Sequence, residues 1–349
     1  MVTNSLVVAP QWIGDAVMTE PLLRSLAARG ERLTVGALPW VAPVYRAMPQ
    51  VAEVIEFPFA HGGLQWAGRR ALAKTLRGRF DAAYVCPNSL KSALIPWWAG
   101  IARRVGYQGE ARWGLLNQRL PNPPKGQRPP MVPFYSALAS AGHADQATVM
   151  GSAPAATEAL ADRPQLQLAP QAAALALQAQ GVAAQGFYVL APGAEYGPAK
   201  RWPTAHFAAV AQQLTLPVLL LGSGKDADVC AEIAAAVNAV RPGHCYDLAG
   251  KTSLDQAIAL IASARAMVSN DSGLMHVAAA FRVPQVAVFG SSSPLHTPPL
   301  NDLATVLWLK NDPAYQPPLD CAPCYARVCP LGHTRCLNDI SAERVLSNL

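Results

Sequence analysis

Apolar and polar positions follow a repeating order along the chain: a short apolar strand, a polar turn, then an amphipathic helix. The first repeat has a strand over residues 6–10, the turn QWIGD, and a helix over residues 16–30 that ends at Gly30. A second strand, LTVGAL, follows at residues 33–38. This β-α-β order is typical of a doubly wound sheet of parallel strands.

The alternation continues and restarts after an Ala/Gln/Pro-rich segment near residues 150–185. We therefore predict an α/β protein with two Rossmann-like doubly wound domains, over residues 1–165 and 166–349. In the second domain, strands are predicted over residues 186–192, 216–222, 246–250, 266–270 and 283–290. Ligands bind at the carboxyl ends of such strands, so the site is expected in a central cleft that both domains face.

The stretch NDSGLMHVAAA, residues 270–280, combines a strand end, a polar turn and a helix start. Asp271 or Ser272 is expected to cap the helix with a side-chain oxygen, and Gly273 lets a ligand approach the backbone. Unpaired N–H groups in the first helical turn suit a phosphate or diphosphate, and His276 lies on the same face as Ser272. The alternative is an ordinary capped helix.

Two other turns bear on the type of ligand. The turn after the first strand holds Gly14 and Asp15 but not the G-x-G-x-x-G pattern, so a nicotinamide cofactor is disfavoured. Asp15 follows the end of that strand, where ligands bind, although an isolated Asp there also suits a helix N-cap. The later GSGKD segment is not a phosphate-binding P-loop, because Leu219 replaces its first glycine and Asp226 its Ser/Thr.

Charge is distributed unevenly along the 349 residues, of which 51% are apolar and 14% charged. Residues 1–165 hold 17 Lys and Arg against 10 Asp and Glu, whereas residues 166–349 hold 11 against 12. A basic first domain suggests an anionic partner, namely a glycolipid or a membrane surface, or simply an Arg-rich surface. Nucleic acid is disfavoured because aromatic residues do not alternate with the basic ones.

Polar and cationic residues of the first domain are candidates for holding that partner. Asn88, Ser89 and Lys91 come at the start of a helix after a predicted strand. Arginine side chains suit carboxylates and phosphates, so we predict an anion clamp from a cluster of six cations. The six are Arg69, Arg70, Lys74, Arg103, Arg104 and Arg112. For any one of them, a solvated surface residue is the alternative.

Four cysteines lie within 16 residues near the end of the chain: Cys321, Cys324, Cys329 and Cys336, with His333 between the last two. The N-terminus lacks the pattern of a signal peptide, and residues 164–194 read as a linker with a helix, which predicts a cytoplasmic location. Disulfides are disfavoured there, so the spacing predicts a structural zinc site or, less readily, an iron–sulfur cluster. Four reduced cysteines in a packed loop are the alternative.

Several motifs, in this order along the chain, resemble those of glycosyltransferase family 9, the ADP-heptose–lipopolysaccharide heptosyltransferases. They are PQWIGDAVM, HGGLQWAGRR, PNSLKSAL, PGAEYGPAKRWP, NDSGLMHVAAA and GSSSP. The resemblance implies a GT-B fold and an inverting transfer of heptose from ADP-heptose to the first heptose of a lipid A–Kdo–heptose acceptor. Alternatives are transfer of the first heptose, another core transfer of the same family, and a non-catalytic module that binds nucleotide or glycolipid.

The resemblance also implies roles for individual residues. Asp15 matches the general base and Lys200 the lysine at the diphosphate. Asp271, Ser272, Gly273 and His276 match the donor-binding element, and Asp226 is the candidate for the ribose. The basic residues of the first domain then fit the phosphates and carboxylates of the acceptor. No metal or other cofactor is expected for catalysis, and peripheral contact with the inner face of the inner membrane is expected.

Overall fold

In the computed structural model, the described residues are 2–60, 63–124, 127–141, 162–183 and 185–349. The chain divides into two compact units, Met1–Gln167 and Leu168–Leu349, with the division close to residue 165. His61 and Gly62 of the HGGLQWAGRR motif lie outside the described residues, as does much of the Ala/Gln/Pro-rich segment. Among the helices of the described residues, none is long and apolar enough to span a bilayer.

The first unit is built on six parallel strands in the order β3-β2-β1-β4-β5-β6. The strands are β1 (Asn4–Val8), β2 (Arg32–Ala37), β3 (Val51–Glu56), β4 (Ala82–Val85), β5 (Arg103–Tyr107) and β6 (Gln118–Leu120). The chain begins in the middle of the sheet, moves to one edge, then returns across β1 to the other. This reversal beside β1 is where doubly wound sheets form a crevice at their carboxyl edge.

Helices cover the sheet of the first unit. They are α1 (Ile13–Met18), α2 (Glu20–Ala28), α3 (Ala42–Arg46), α4 (Trp66–Thr75), α5 (Leu90–Trp98) and α6 (Met131–Ser136). Ala73 and Leu76 of the α4 region and Ala93 and Ile95 of α5 are fully buried against strand residues such as Val85. Their apolar sides therefore fix α4 and α5 next to each other on one face of the sheet.

The second unit repeats the architecture with the strand order β12-β11-β10-β7-β8-β9, again all parallel. The strands are β7 (Tyr188–Ala191), β8 (Val218–Leu220), β9 (Cys245–Asp247), β10 (Met267–Asn270), β11 (Gln285–Val288) and β12 (Ala304–Leu307). Its helices are α7 (Ala172–Ala179), α8 (Thr204–Gln213), α9 (Ala227–Val240), α10 (Leu254–Ala262), α11 (Gly273–Ala280), α12 (Arg335–Asn338) and α13 (Ala342–Leu346). Two α/β units with parallel sheets confirm the predicted fold class.

The predicted elements differ from the observed ones in two respects. The single helix expected over residues 16–30 is two helices, α1 and α2, which meet at Thr19. Pro21 has no N–H to donate to the Val17 carbonyl, so the helical hydrogen-bond pattern is interrupted there. Strands β5, β6 and β12 were not predicted, because each is short and half-polar or only partly buried. The tail NDISAERVLSNL, residues 338–349, predicts a closing helix capped at Ser341, and the structure confirms it: the Ser341 hydroxyl caps α13 by accepting from the Arg344 N–H.

Candidate active site

Asp15 lies in the first turn of α1, three residues after its N-cap, Trp12. It is therefore not a helix cap, which excludes the structural alternative considered for it. One carboxylate oxygen, Oδ1, accepts a hydrogen bond of 3.0 Å from the Tyr135 hydroxyl, which comes from α6. The turn after β1 thus presents a carboxylate at the carboxyl edge of the sheet, and a tyrosine holds it in place.

Asp15 lines a pocket of about 750 Å³ that is formed by residues of the first unit alone. Phe57 and Phe59 form part of its apolar wall. Its polar lining includes the predicted candidates Arg69, Asn88, Ser89 and Lys91, together with Glu110, Arg128 and Tyr135. Apolar walls with a few polar groups are typical of sites that bind a small organic group such as a sugar.

Burial raises the pKa of Asp15 from its ordinary value of 3.8 to about 6, although the hydrogen bond from Tyr135 acts in the opposite direction. Water stabilises the negative charge of a carboxylate, so a carboxyl group that is buried away from water keeps its proton up to a higher pH. A pKa near 6 leaves Asp15 mostly ionised at neutral pH and makes it a better proton acceptor than an exposed aspartate. Asp15 is thus suited to act as a general base.

Replacement of Tyr135 by phenylalanine is expected to move the acid limb of the pH profile of kcat/KM to higher pH. The hydroxyl donates to the ionised form of Asp15, so its loss leaves the carboxylate less stable and raises its pKa further above 6. Turnover at about pH 6 should fall more than turnover at about pH 8. Equal losses at both pH values, with an unmoved limb, would mean that Tyr135 affects only folding or packing.

The predicted clamp of six cations does not form as one group. Arg69 is buried and lines the pocket, where its guanidinium lies 4.1 Å from the centroid of the Phe59 ring and donates to the Leu64 carbonyl. Arg104 donates instead to backbone carbonyls of its own unit, including those of Ile101 and Leu115. Arg103 donates to the Ala141 carbonyl. Through these hydrogen bonds, the guanidinium groups of Arg103 and Arg104 connect β5 to neighbouring loops.

Arg112 was expected to contact the acceptor, but it is fully buried and does not line the pocket. Its guanidinium donates to the Pro87 carbonyl at 2.8 Å and to Asn88 Oδ1 at 3.1 Å. Burial lowers its pKa to about 10, so it stays charged at neutral pH. Arg112 therefore positions the loop that carries Asn88. Arg70 and Lys74 are exposed on α4, outside the pocket lining.

In the second unit, Lys200 and Asp271 form a close ion pair. Lys200 Nζ lies 2.5 Å from Asp271 Oδ2, and the Ser292 hydroxyl donates to the same oxygen at 2.5 Å. Lys200 comes from the loop after β7, Asp271 follows β10, and Ser292 follows β11. These three strands are adjacent in the sheet, which explains why residues so distant in the sequence converge at its carboxyl edge.

The helix-capping prediction for residues 271 and 272 is wrong. Ser272 is the N-cap of α11, but its side chain makes no capping hydrogen bond, and Asp271 is bonded to Lys200 and Ser292. Ser272 Oγ is buried and has no hydrogen-bond partner within the part of the chain that the structure describes. The backbone N–H groups in the first turn of α11, which starts at Gly273, thus have no side-chain cap. The buried Ser272 hydroxyl lies beside them. That arrangement suits a diphosphate.

His276 is buried within α11. Burial lowers its pKa to about 4; Asp271 acts to raise this pKa and Lys200 to lower it further. The imidazole is therefore neutral at physiological pH and leaves Lys200 as the cation beside Asp271. Asn270 braces the same region, since its amide donates to the Pro192 carbonyl at 2.6 Å and its oxygen accepts from the Trp202 N–H at 2.9 Å.

Asp226 is engaged in local hydrogen bonds. Its carboxylate accepts from the Ser223 N–H at 3.0 Å and from the Ser223 hydroxyl at 2.8 Å, which closes the turn before α9. Arg201 lies 3.5 Å from its other oxygen. Gly193 passes so close that a Cβ there would be 2.5 Å from the carboxyl carbon. The geometry favours a structural role for Asp226, and the ribose contact stays a prediction.

The four clustered cysteines and His333 line one small pocket of about 20 Å³. In the described residues, which include this whole segment, no three His, Cys, Asp or Glu side chains are arranged so that they could hold a metal ion. The structural zinc site at these cysteines stays a prediction. The segment packs on the loop of Lys200, because the Arg327 carbonyl accepts from the Ala199 N–H at 3.0 Å.

Comparison with known proteins agrees with this arrangement. The model of Glycosyltransferase family 9 (heptosyltransferase) matches residues 69–333. Lipopolysaccharide heptosyltransferase 2 of Escherichia coli strain K12 is 42% identical over 352 residues, which cover 99% of this chain and 97% of that protein. The chain belongs to glycosyltransferase family 9. Lipooligosaccharide heptosyltransferase 2 of Haemophilus influenzae is 40% identical, with 88% of each chain covered.

Family membership also accounts for the fold. The solved structure of the Escherichia coli ADP-heptose lipopolysaccharide heptosyltransferase II superimposes with a TM-score of 0.82 at 39% identity, over 99% of this chain and 97% of that one. The family member described here is thus a glycosyltransferase with the predicted GT-B-type fold. The alternative of a non-catalytic binding module is set aside.

Sequence reasoning missed several residues of both sites. Tyr135, Arg128 and Glu110 line the pocket but lie outside all the motifs that the sequence shows. In the second unit, Ser292 was noted only as part of a serine-rich loop, and Asn270 only as a strand end. The sole sequence signal for these two is their position at the end of a predicted strand or just after it.

Proposed function

We propose that this chain transfers L-glycero-D-manno-heptose from ADP-heptose to the first heptose of the lipopolysaccharide inner core, the reaction of heptosyltransferase II. The observation that carries the proposal is the 42% identity to lipopolysaccharide heptosyltransferase 2 over almost the whole chain. Two features of the sites support it: a carboxylate with a raised pKa in a sugar-sized pocket, and a lysine beside an uncapped helix start.

In the proposed reaction, an acceptor hydroxyl attacks the anomeric carbon of the donor heptose from the face opposite the diphosphate. Asp15 takes the hydroxyl proton as the new C–O bond forms, because a hydroxyl attacks far more readily as it loses its proton. The bond from the anomeric carbon to the diphosphate oxygen breaks, and its electron pair leaves with ADP. Inversion at the anomeric carbon follows from attack on the opposite face.

Stabilisation of the departing ADP is assigned to the second unit. Negative charge grows on the diphosphate as the bond breaks, and preorganised positive groups stabilise it most at that stage. Lys200 supplies a full charge, and the backbone N–H groups of Ser272 and Gly273 supply the helix-terminal partial charge. Asn88, Ser89, Lys91 and Arg69 are the candidates for holding the acceptor sugars in the first unit.

Because Lys200 carries the charge that a metal ion supplies in other transferases, we propose that transfer needs no metal or other cofactor. Dialysis of the enzyme against EDTA is then expected to leave kcat within about two-fold of its starting value, a difference well below about 1 kcal/mol in the barrier. ADP release in treated and untreated samples is the measurement. A loss that added Mg²⁺ restores would contradict the assignment.

The acceptor decides between this proposal and the related ones. ADP release should be measured with ADP-heptose and either Kdo₂-lipid A or heptosyl-Kdo₂-lipid A. Turnover only with the heptosylated acceptor is the expected result. Turnover with the unheptosylated one would mean the reaction of heptosyltransferase I, and turnover with neither would redirect the search to other core acceptors. The reaction is proposed to occur at the cytoplasmic face of the inner membrane, where the enzyme meets its acceptor peripherally.

A further inference from the structure

Three tryptophans of α4 and α5 lie together at the surface of the first unit, two of them exposed and one, Trp98, half-buried against the core. The Trp66 and Trp98 rings meet edge to face with their centroids 4.6 Å apart, and the Trp97 centroid lies 6.3 Å from that of Trp98. Trp66 is 50% exposed and Trp97 is 44% exposed. Trp98 thus anchors the cluster to the core, and the exposure of the large aromatic side chains of Trp66 and Trp97 beside it indicates a surface that meets another apolar phase.

Basic side chains surround this cluster. Trp66, Arg70 and Lys74 follow each other at intervals of four residues, which places them along one side of α4. Arg77 lies just beyond the helix and donates to the Trp98 carbonyl at 3.4 Å. Residues 57–80 contain five Lys and Arg and no Asp or Glu. Arg70, Lys74 and Arg77 take no part in the ion pairs found among the described residues.

We propose that this surface, the aromatic–basic face (Trp66, Trp97, Trp98, Arg70, Lys74 and Arg77), docks on an anionic phospholipid bilayer. Indole rings partition to the boundary between headgroups and acyl chains, where their apolar body is shielded and their N–H stays hydrated. Basic residues beside them meet the negative charge of the lipid headgroups. The combination complements a bilayer surface in both polarity and charge.

The face adjoins the pocket of Asp15. Leu64, two residues before α4, lines that pocket and is 46% exposed, and Arg69 of α4 lines it as well. Docking through α4 and α5 would bring the pocket beside the headgroups, where the sugars of a glycolipid project from the bilayer. This step deepens the proposed function and rests on it, because a lipid-linked acceptor is the reason for the enzyme to meet a membrane.

The test is co-sedimentation of the full-length protein with vesicles of phosphatidylglycerol and phosphatidylethanolamine, and with vesicles of phosphatidylcholine alone. Binding to the anionic vesicles that weakens with added salt is expected, because screening reduces attraction between charges at a surface. Each basic residue at such a surface strengthens partitioning about five-fold. The double variant Arg70→Glu/Lys74→Glu should therefore bind at least about 25-fold more weakly. Arg119→Glu, which reverses one exposed charge on the edge strand β6, is the control for a charge reversal elsewhere on the first unit, and each single reversal, Arg70→Glu or Lys74→Glu, is compared with it.

The aromatic contribution is tested by Trp66→Ser/Trp97→Ser, which should also lose vesicle binding, whereas Trp66→Phe/Trp97→Phe should keep most of it. Thermal unfolding followed by circular dichroism shows whether each variant is folded. On a deacylated, water-soluble acceptor, the serine variant should keep the wild-type kcat/KM, because neither tryptophan lines the pocket. With the acceptor embedded in anionic vesicles, the same variant should be slower.

Vesicle binding is measured without donor or acceptor, so its outcome is independent of the transfer reaction. If the variants lose vesicle binding and the wild type transfers no heptose, the docking proposal is supported and the proposed function is contradicted. If the wild type and both groups of variants bind the vesicles equally well, the proposal that the aromatic–basic face docks on the bilayer is wrong. The same is true if the wild type ignores anionic vesicles and instead retains single-stranded DNA, since indole and arginine side chains also stack on bases.

Discussion

Replacement of Asp15 by asparagine is expected to lower kcat by roughly a thousand-fold, within the range that a positioned general base contributes. The amide has almost the same shape and can still accept the hydrogen bond from Tyr135, but it cannot take the acceptor proton. The affinity for ADP should stay nearly unchanged, because ADP is assigned to the second unit. Steady-state turnover and calorimetric titration with ADP are the two measurements.

The same variant is expected to be more stable than the wild type at neutral pH. The folded state raises the pKa of Asp15 from 3.8 to about 6, so it binds the proton more tightly than the unfolded chain does. The stability that this group contributes is therefore complete below about pH 4 and is lost as pH rises through about 6. The asparagine variant has no such loss, and its free energy of unfolding at neutral pH should be higher by up to about 3 kcal/mol.

Asp81→Asn is the control for both measurements, because Asp81 lies at the amino-terminal start of β4 and accepts from the Asn4 N–H. It should leave kcat at the wild-type value. If Asp15→Asn weakened ADP binding as much as it lowered kcat, Asp15 would be a donor-binding or structural residue. If it destabilised the fold at neutral pH, the assignment of its raised pKa to burial would be wrong.

Replacement of Lys200 by alanine is expected to weaken ADP binding by roughly 10- to 100-fold, since charge-assisted hydrogen bonds contribute about 1.5–3 kcal/mol. A further decrease in kcat should accompany it, because the charge on the diphosphate increases in the transition state. Asp271 loses its cation but keeps its hydrogen bond from Ser292, which limits the damage to the fold. Calorimetry with ADP separates the binding effect from the effect on turnover.

Lys225 provides the matched control for Lys200. It belongs to the GSGKD segment and pairs with Glu195 at the surface, with its side chain 74% exposed. Lys225→Ala should leave ADP affinity unchanged, as the departure of this segment from the P-loop pattern predicts. A result with the two variants reversed would identify GSGKD as the diphosphate site and remove Lys200 from it.

Much of the fold was predictable because its signals are local. Strands buried on both sides read as short apolar runs, and helices that cover a sheet carry an apolar stripe, so each element is encoded within its own residues. Strands that lack these local signals could not be predicted from the sequence. β5 begins with Arg103 and Arg104, whose long side chains reach carbonyls of neighbouring loops, so its sequence does not look like a buried strand.

Site residues were predictable to the extent that they follow strands. Asp15, Lys200 and Asp271 each come after a strand of a parallel sheet, and the carboxyl ends of such strands converge on one edge. The sequence by itself thus determined the two α/β units, the position of the candidate base and the donor-side loop with its helix start.

Tertiary structure decided which side chains meet. Tyr135 is 120 residues from Asp15 in the chain, and Ser292 is 21 residues from Asp271, so no local pattern links either pair. Only packing shows that Arg112 is buried under its loop and that the aromatic–basic face gathers residues of two helices. The physical reason is that periodicity specifies the conformation and the buried side of each element, whereas the pairing of elements fixes distances, burial and therefore pKa values.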